Sequence, residues 1–447
     1  MQKLCVLFIC ASFLILRPRA SASDPSHLLS SLPLAAQAST SADGGTRPPL
    51  VADPWAQMAK LTASLDQSGL FFGTSVAISG DTVVIGQTDA GQALVFIKPK
   101  SGWRNMTQTA TLIPSDGNGC NFFGASVAIS GDMIVVGASQ DAWWCRTGLG
   151  AAYVFVKPAG GWSGTLTQTA KLTASDGATG DALGASISVS GNTVVSGAPG
   201  TYPFGAPGGA YVFVKPASGW VNETQTAKLT ASDGLTGDQL GYSVSISSNT
   251  VVAGAPLATV GAIQAPGAMY VFMKPAGGWA NSTQTAKLSA SDGRPNDYLG
   301  YSVSADGNTV LGGATFATGG PHDSDGAAYV YVEPPSGWVN MNETAKLTAP
   351  NDGTGALGFS VALDNNIAVA GAPYINYGQN FAGGAAYVFV KPKSGWATGS
   401  SKTKLVGSDA KFSAEMGSSI AVDGHTVVAG APAINRDTGA AYVFWQP

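Results

Sequence analysis

The sequence predicts an all-β chain: a seven-bladed β-propeller of four-stranded antiparallel blades, closed by the N-terminal strand completing the last blade. Three observations carry this. Trp103, Trp162, Trp220, Trp279, Trp338 and Trp396 recur 58 or 59 residues apart, each behind a glycine, and a fixed period near that length marks a solenoid, propeller or array. Four short segments with strand periodicity occur seven times each between Trp55 and Pro447. The 447 residues include 59 glycines, and only 11% of them are charged, which suits many tight turns between short strands.

In chain order, residues 1–22 read as a secretory signal. Lys3 supplies the positive end, residues 4–16 the apolar core, and Ala20-Ser21-Ala22 a small-residue cleavage site. That core is too short for a membrane span, which needs about 20 residues, so no span is expected after signal removal. Residues 23–54, rich in Ser, Ala and Pro, read as a flexible lead-in. The propeller is expected over residues 55–447.

The first segment of each blade opens on Phe72-Gly73, Phe123-Gly124, Leu183-Gly184, Leu240-Gly241, Leu299-Gly300, Leu357-Gly358 or Met416-Gly417, then alternates small and β-branched residues as in SVAIS. Dipeptides such as Gly80-Asp81 and Ser248-Asn249 follow, with the chemistry of two-residue hairpins. The second segment, TVVAG and its variants, is apolar on both faces and so reads as a sandwiched strand. The third, YVFVKP, alternates aromatics with Val and ends on Pro. The fourth, AKLTA, turns Ala and Leu one way and Lys and Thr the other, as an outermost strand half in solvent does. A fourth-type strand, 56–63, comes first and a third-type strand, 440–447, comes last. Pairing these two closes the ring and hides its edges. Trp55 then stands where the other blades have their Gly-Trp.

The motifs FGTS, FGAS, LGYS and LGFS, together with GAP at Gly197-Ala198-Pro199, Gly254-Ala255-Pro256, Gly371-Ala372-Pro373 and Gly430-Ala431-Pro432, resemble FG-GAP repeats. Such repeats build the propeller of integrin α-subunits and of many exported bacterial proteins. The resemblance implies ligand binding on the loop face. In that family calcium is held by the loop between the first two strands. Here that loop is a two-residue turn, which cannot supply the six to eight oxygens a hard cation takes. No metal or cofactor is therefore expected.

Paired carboxylates recur between blades: Asp176 with Asp181, Asp233 with Asp238 and Asp292 with Asp297, with Asp116 and Asp352 matching the first position. They read as acceptors of turn backbone N–H groups, the alternative being a ring of weak calcium sites. His27, His322 and His425 are the only histidines, and no catalytic set is visible at a suggestive spacing. The Gly-Trp pairs read as packing under a hairpin, the alternative being sugar-stacking platforms. Asn105, Asn222, Asn281 and Asn342 head N-x-T sequons.

The connections between second and third strands vary from blade to blade, and they carry the candidate binding residues Trp143, Trp144, Tyr202, Phe204, Tyr374 and Tyr377. In an up-and-down blade they share one face with the turns into the next blade, and variable loops on a rigid scaffold build binding faces. Cys120 and Cys145, paired as a disulfide in an oxidising compartment, would brace that face. The net charge of −4 gives no basic footprint for nucleic acid. The expected function is an exported, non-catalytic binding or adhesion module, secreted to an extracellular or periplasmic space, with an extracellular protein or glycan as ligand. A lectin-like propeller with repeated sites between blades is the alternative, and an extracellular polysaccharide-active enzyme a more distant one.

Overall fold

A computed structural model describes residues 55–64, 68–117, 122–139, 149–200, 207–318, 325–350, 355–376, 382–401, 403–410 and 412–447. Among the described residues, apart from one 3-10 turn at Thr88–Ala90 and one helical turn at Ile434–Asp437, the regular structure is β-strand. The strands form seven sheets, one per blade. In blade 4 the order runs outward from Ser243–Ser247 through Thr250–Ala255 and Ala268–Met273 to Ala286–Ser289. The first strand pairs with the second from Ser243↔Gly254 to Ser247↔Thr250, leaving Ser248-Asn249 as the two-residue turn. The other blades repeat this plan from first strands at Phe72–Ser79, Phe123–Ser130, Ser186–Ser190, Leu299–Asp306, Ser360–Asp364 and Ser419–Asp423.

The ring closes as the order of segments predicts. Ala56–Leu61 pairs antiparallel with Ala440–Trp445 as the outer strand of blade 7, with one bulge between Gln57 and Ala59. Trp55 is buried with Val388 and Leu405 of blade 6 and with Tyr442 and Phe444 of blade 7. Trp279 takes the equivalent place between Val212 and Leu229 of blade 3 and Tyr270 and Phe272 of blade 4.

Two rings of hydrogen bonds explain the repeated motifs. The serine of each F/L-G-x-S segment donates to the carbonyl of the same motif's glycine in the next blade. Ser75, Ser126, Ser186, Ser243, Ser302, Ser360 and Ser419 do so at 2.7–2.9 Å, the last reaching Gly73 across the closure. That carbonyl lies where a Cβ on the glycine of the second strand's GAP segment would sit. From Gly86 to Gly430 the separation would be 1.9–2.1 Å, so only glycine lets the blades approach this closely. At the opposite end of the first strands, Ser79, Ser130, Ser190, Ser247, Asp306, Asp364 and Asp423 each accept a backbone N–H from the hairpin turn of the next blade. The ring is stitched at both ends of its inner wall.

Four-stranded blades are too simple a description. Five sheets carry a short fifth strand that runs parallel to the outer strand and comes from the next blade's third-to-fourth connection. These strands are Gly164–Thr167, Glu223–Thr224, Ser282–Thr283, Met341–Asn342 and Gly399–Ser400. Blade 7 receives an equivalent bridge from Met106 to Leu61. Among the described residues blade 6 stops at its fourth strand, Thr403–Leu405, and the closure explains why. Six residues separate Trp220 from Ala227, room for the excursion, but only three separate Trp55 from Ala59.

Candidate functional site

The first strand of each blade starts at the loop face, so the residue after its F/L-G glycine stands at the mouth of the central channel. In blades 4, 5 and 6 this residue is Tyr242, Tyr301 and Phe359. Their rings form a chain: Tyr242 to Tyr301 is 4.9 Å between centroids, Tyr301 to Phe359 is 5.1 Å, and both pairs are tilted at 47°. Tyr374, from the second-to-third-strand connection of blade 6, extends the chain edge-on at 5.8 Å from Phe359. All four rings are partly exposed. The same position in blades 7, 1, 2 and 3 holds Ser418, Thr74, Ala125 and Ala185. The mouth is thus lined by an aromatic arc on one side and by small side chains on the other.

Of the residues the sequence nominates for binding, the structure places Tyr374, in this arc. Trp143, Trp144, Tyr202, Phe204 and Tyr377 lie outside the described residues, as do both disulfide candidates, Cys120 and Cys145. Tyr242, Tyr301 and Phe359 are missing from the sequence-based set because each sits inside a repeated motif. The available signal was the variation of that one position among otherwise matching repeats. Around the mouth the same face exposes Leu149, Leu235, Ile263, Phe316 and Phe412. Phe316 packs edge-on against Tyr298 at 5.5 Å.

The paired carboxylates have two separate jobs, where the sequence suggests one. The second of each pair accepts a turn backbone N–H as expected: Asp181 from Ala178, Asp238 from Leu235 and Asp297 from Arg294, each at 2.8 Å. Burial pushes Asp238 and Asp297 above the ordinary carboxylate value. The first of each pair instead forms an ion pair with the outer-strand lysine of the next blade. Asp116 meets Lys171, Asp176 meets Lys228, Asp233 meets Lys287, Asp292 meets Lys346 and Asp409 meets Lys60, at 2.5–2.7 Å. The lysines lie 5.1–5.9 Å from the ring centres of Tyr153, Tyr211, Tyr270, Tyr329 and Tyr442. Partial burial raises these five carboxyls, but the lysine and tyrosine hydrogen bonds and the lysine charge outweigh it and hold them below the ordinary value. The carboxylates' own partners therefore account for this belt.

The Gly-Trp side chains are 4–7% exposed from Trp103 to Trp396, so their faces are packed and closed to a sugar ring. A cleft of about 150 Å³ opens beside blade 3, lined by Asp181, Pro207, Tyr211, Lys228 and Leu240. Among the described residues no three His, Cys, Asp or Glu side chains are grouped to hold a metal ion. No helix among them is long and apolar enough to cross a membrane.

A family model described as an FG-GAP repeat matches the chain seven times, over residues 55–96, 106–155, 166–213, 224–272, 282–331, 341–389 and 400–444. Each match ends within a blade's third strand. A comparison with curated proteins finds no matching relative.

Proposed function

The chain belongs to the FG-GAP repeat family, and from that premise we propose that it is an exported, non-catalytic binding or adhesion module whose ligand docks on the loop face, over the mouth of the central channel. The observation that carries the reading is the arc of Tyr242, Tyr301, Phe359 and Tyr374. Partly exposed aromatic rings on a rigid wall offer large contact area at small entropic cost, as binding hot spots do. Export is supported by the signal-like residues 1–22. The ligand class is an extracellular protein or a glycan, since both present apolar or ring surfaces to stacked aromatics. The burial of the Gly-Trp rings weighs against the lectin with a tryptophan site at every blade junction. The non-catalytic part of the reading rests on the sequence, in which no catalytic set stands at a suggestive spacing.

The test replaces the arc with the residues that other blades carry there: Tyr242→Ala, Tyr301→Ala and Phe359→Ser in one variant. Parent and variant are immobilised and exposed to the native extracellular milieu and to a glycan array. A ligand held by the parent should be weakened at least tenfold, about 1.4 kcal/mol or more, in a variant with an unchanged melting temperature. Equal retention by both proteins would sink the proposal.

A further inference from the structure

We infer that Asn105, Asn222, Asn281 and Asn342 are acceptor sites for N-linked glycans, arranged on the outer circumference of the propeller. The inference rests on the export reading above. These asparagines head the only four N-x-S/T sequons in the chain, and the structure places each on the exposed connection between a blade's third and fourth strands. In every case Oδ1 is turned inward to accept a hydrogen bond from the preceding blade. Asn105, Asn222 and Asn281 accept the backbone N–H of Lys60, Lys171 and Lys228 at 2.7–2.8 Å, and Asn342 accepts the hydroxyl of Ser289 at 3.0 Å. The four residues are exposed.

Scaffold geometry explains the asparagine two residues after Trp103, Trp220 and Trp279. Asn340 plays that part for Lys287 without heading a sequon. It does not explain the threonine of the first three sequons, whereas Thr344 of the fourth accepts the backbone N–H of Val332 at 3.0 Å. Thr107, Thr224 and Thr283 are exposed, and their hydroxyls have no hydrogen-bond partner among the described residues. A sequon threonine is what the oligosaccharide transferase of a secretory pathway reads. In that reaction Nδ2 forms a bond to the anomeric carbon of a lipid-diphosphate-linked oligosaccharide and gives up one proton. The bond from that carbon to the diphosphate oxygen breaks, and the lipid diphosphate leaves.

The placement has a physical consequence. Each glycan would stand at or beside the fifth strand, where the sheet presents its last unpaired edge, and bulk at an edge suppresses sheet-to-sheet association. No sequon lies on the loop face, so the proposed binding surface stays uncovered.

The experiment uses protein isolated from the cells that make it, digested with and without peptide N-glycosidase and analysed by mass spectrometry. Glycosidase-dependent conversion of Asn105, Asn222 and Asn281 to aspartate is expected, with Asn342 converted as well. A second protein from the same cells, carrying Thr107→Ala, Thr224→Ala and Thr283→Ala, keeps the asparagine contacts. It should lose three glycans with its melting temperature unchanged. Unmodified asparagines, or modification elsewhere only, overturn the inference. If that unmodified protein is recovered outside the cells, export stands while the inference falls.

Discussion

A Cβ added to Gly254 would lie 2.0 Å from the carbonyl oxygen of Gly300 and 2.4 Å from the hydroxyl of Ser243. Neither neighbour can retreat, because Ser243 donates to that same carbonyl at 2.8 Å and so joins two blades. Gly254→Ala should therefore cost roughly 2–4 kcal/mol, in the range of core overpacking and a broken buried contact. Gly277→Ala, which meets nothing within 4 Å, should leave the melting temperature within a degree or two, so the pair separates close approach from a general penalty for losing glycine. The Lys–Asp belt gives a second prediction at this scale. A carboxyl held below its ordinary value of 3.8 in the folded protein contributes stability that is complete above that value and lost as pH falls through the lowered one. Thermal melts between pH 5 and 2 should therefore show a steeper acid loss in the parent than in Asp176→Asn, which lacks the contribution at every pH. Identical pH slopes would show that the belt is screened away. Neither residue pair was legible as a pair in the sequence. The motif letters repeat plainly, but Asp176 and Lys228 stand 52 residues apart, and Ser243 and Gly300 stand 57 apart.

Among the elements, the regular strands were readable because their alternation repeats seven times, and the closure was readable because the order of segments starts on a fourth strand and ends on a third. The fifth strands were not. Glu223–Thr224 and its counterparts are two to four residues long, too short to show a period, and each pairs with a blade earlier in the chain. The visible trace is the asparagine two residues after four of the six Gly-Trp pairs, Asn105, Asn222, Asn281 and Asn340, each an inter-blade acceptor. Closure makes one element decisive. Without Trp55–Leu61, Ala440–Trp445 would present an open edge, and the cavity left by Trp55 would face blade 6. Deleting residues through 61 should thus abolish the single unfolding transition and yield oligomers on size-exclusion chromatography, as exposed edges do. Deletion through 54 should leave both measurements unchanged. A monomeric, cooperatively melting protein lacking residue 61 and everything before it would show that the outer strand of blade 7 is dispensable.

Over the whole molecule, sequence periodicity tells how alike the blades are, whereas the candidate site depends on how they differ around the axis. Three consecutive blades carry aromatic residues at the channel mouth and four carry small ones, and only the ring brings Tyr242, Tyr301 and Phe359 side by side. The ring also makes a prediction about connectivity. Gln446-Pro447 follow the third strand of blade 7 as Lys274-Pro275 follow that of blade 4, and Trp55 stands where Trp279 does. Joining Pro447 to Trp55 through Ala-Gly-Gly, which copies Ala276-Gly277-Gly278, rebuilds the hairpin that the natural order leaves open. A new start can then be cut at the equivalent turn of blade 3, between Ala217 and Ser218. Every strand pairing survives this rearrangement, because the cut and the link fall at the same point of two like blades. The permutant of residues 55–447 should melt within a few degrees of the unpermuted 55–447 protein, in one transition. A cut between Val252 and Ala253, both fully buried in the second strand of blade 4, removes pairing on two sides and should leave no folded product. If the two permutants behaved alike, the positions of the propeller's ends would be incidental to its stability, and closure by pairing would not be what holds the seven blades as one unit.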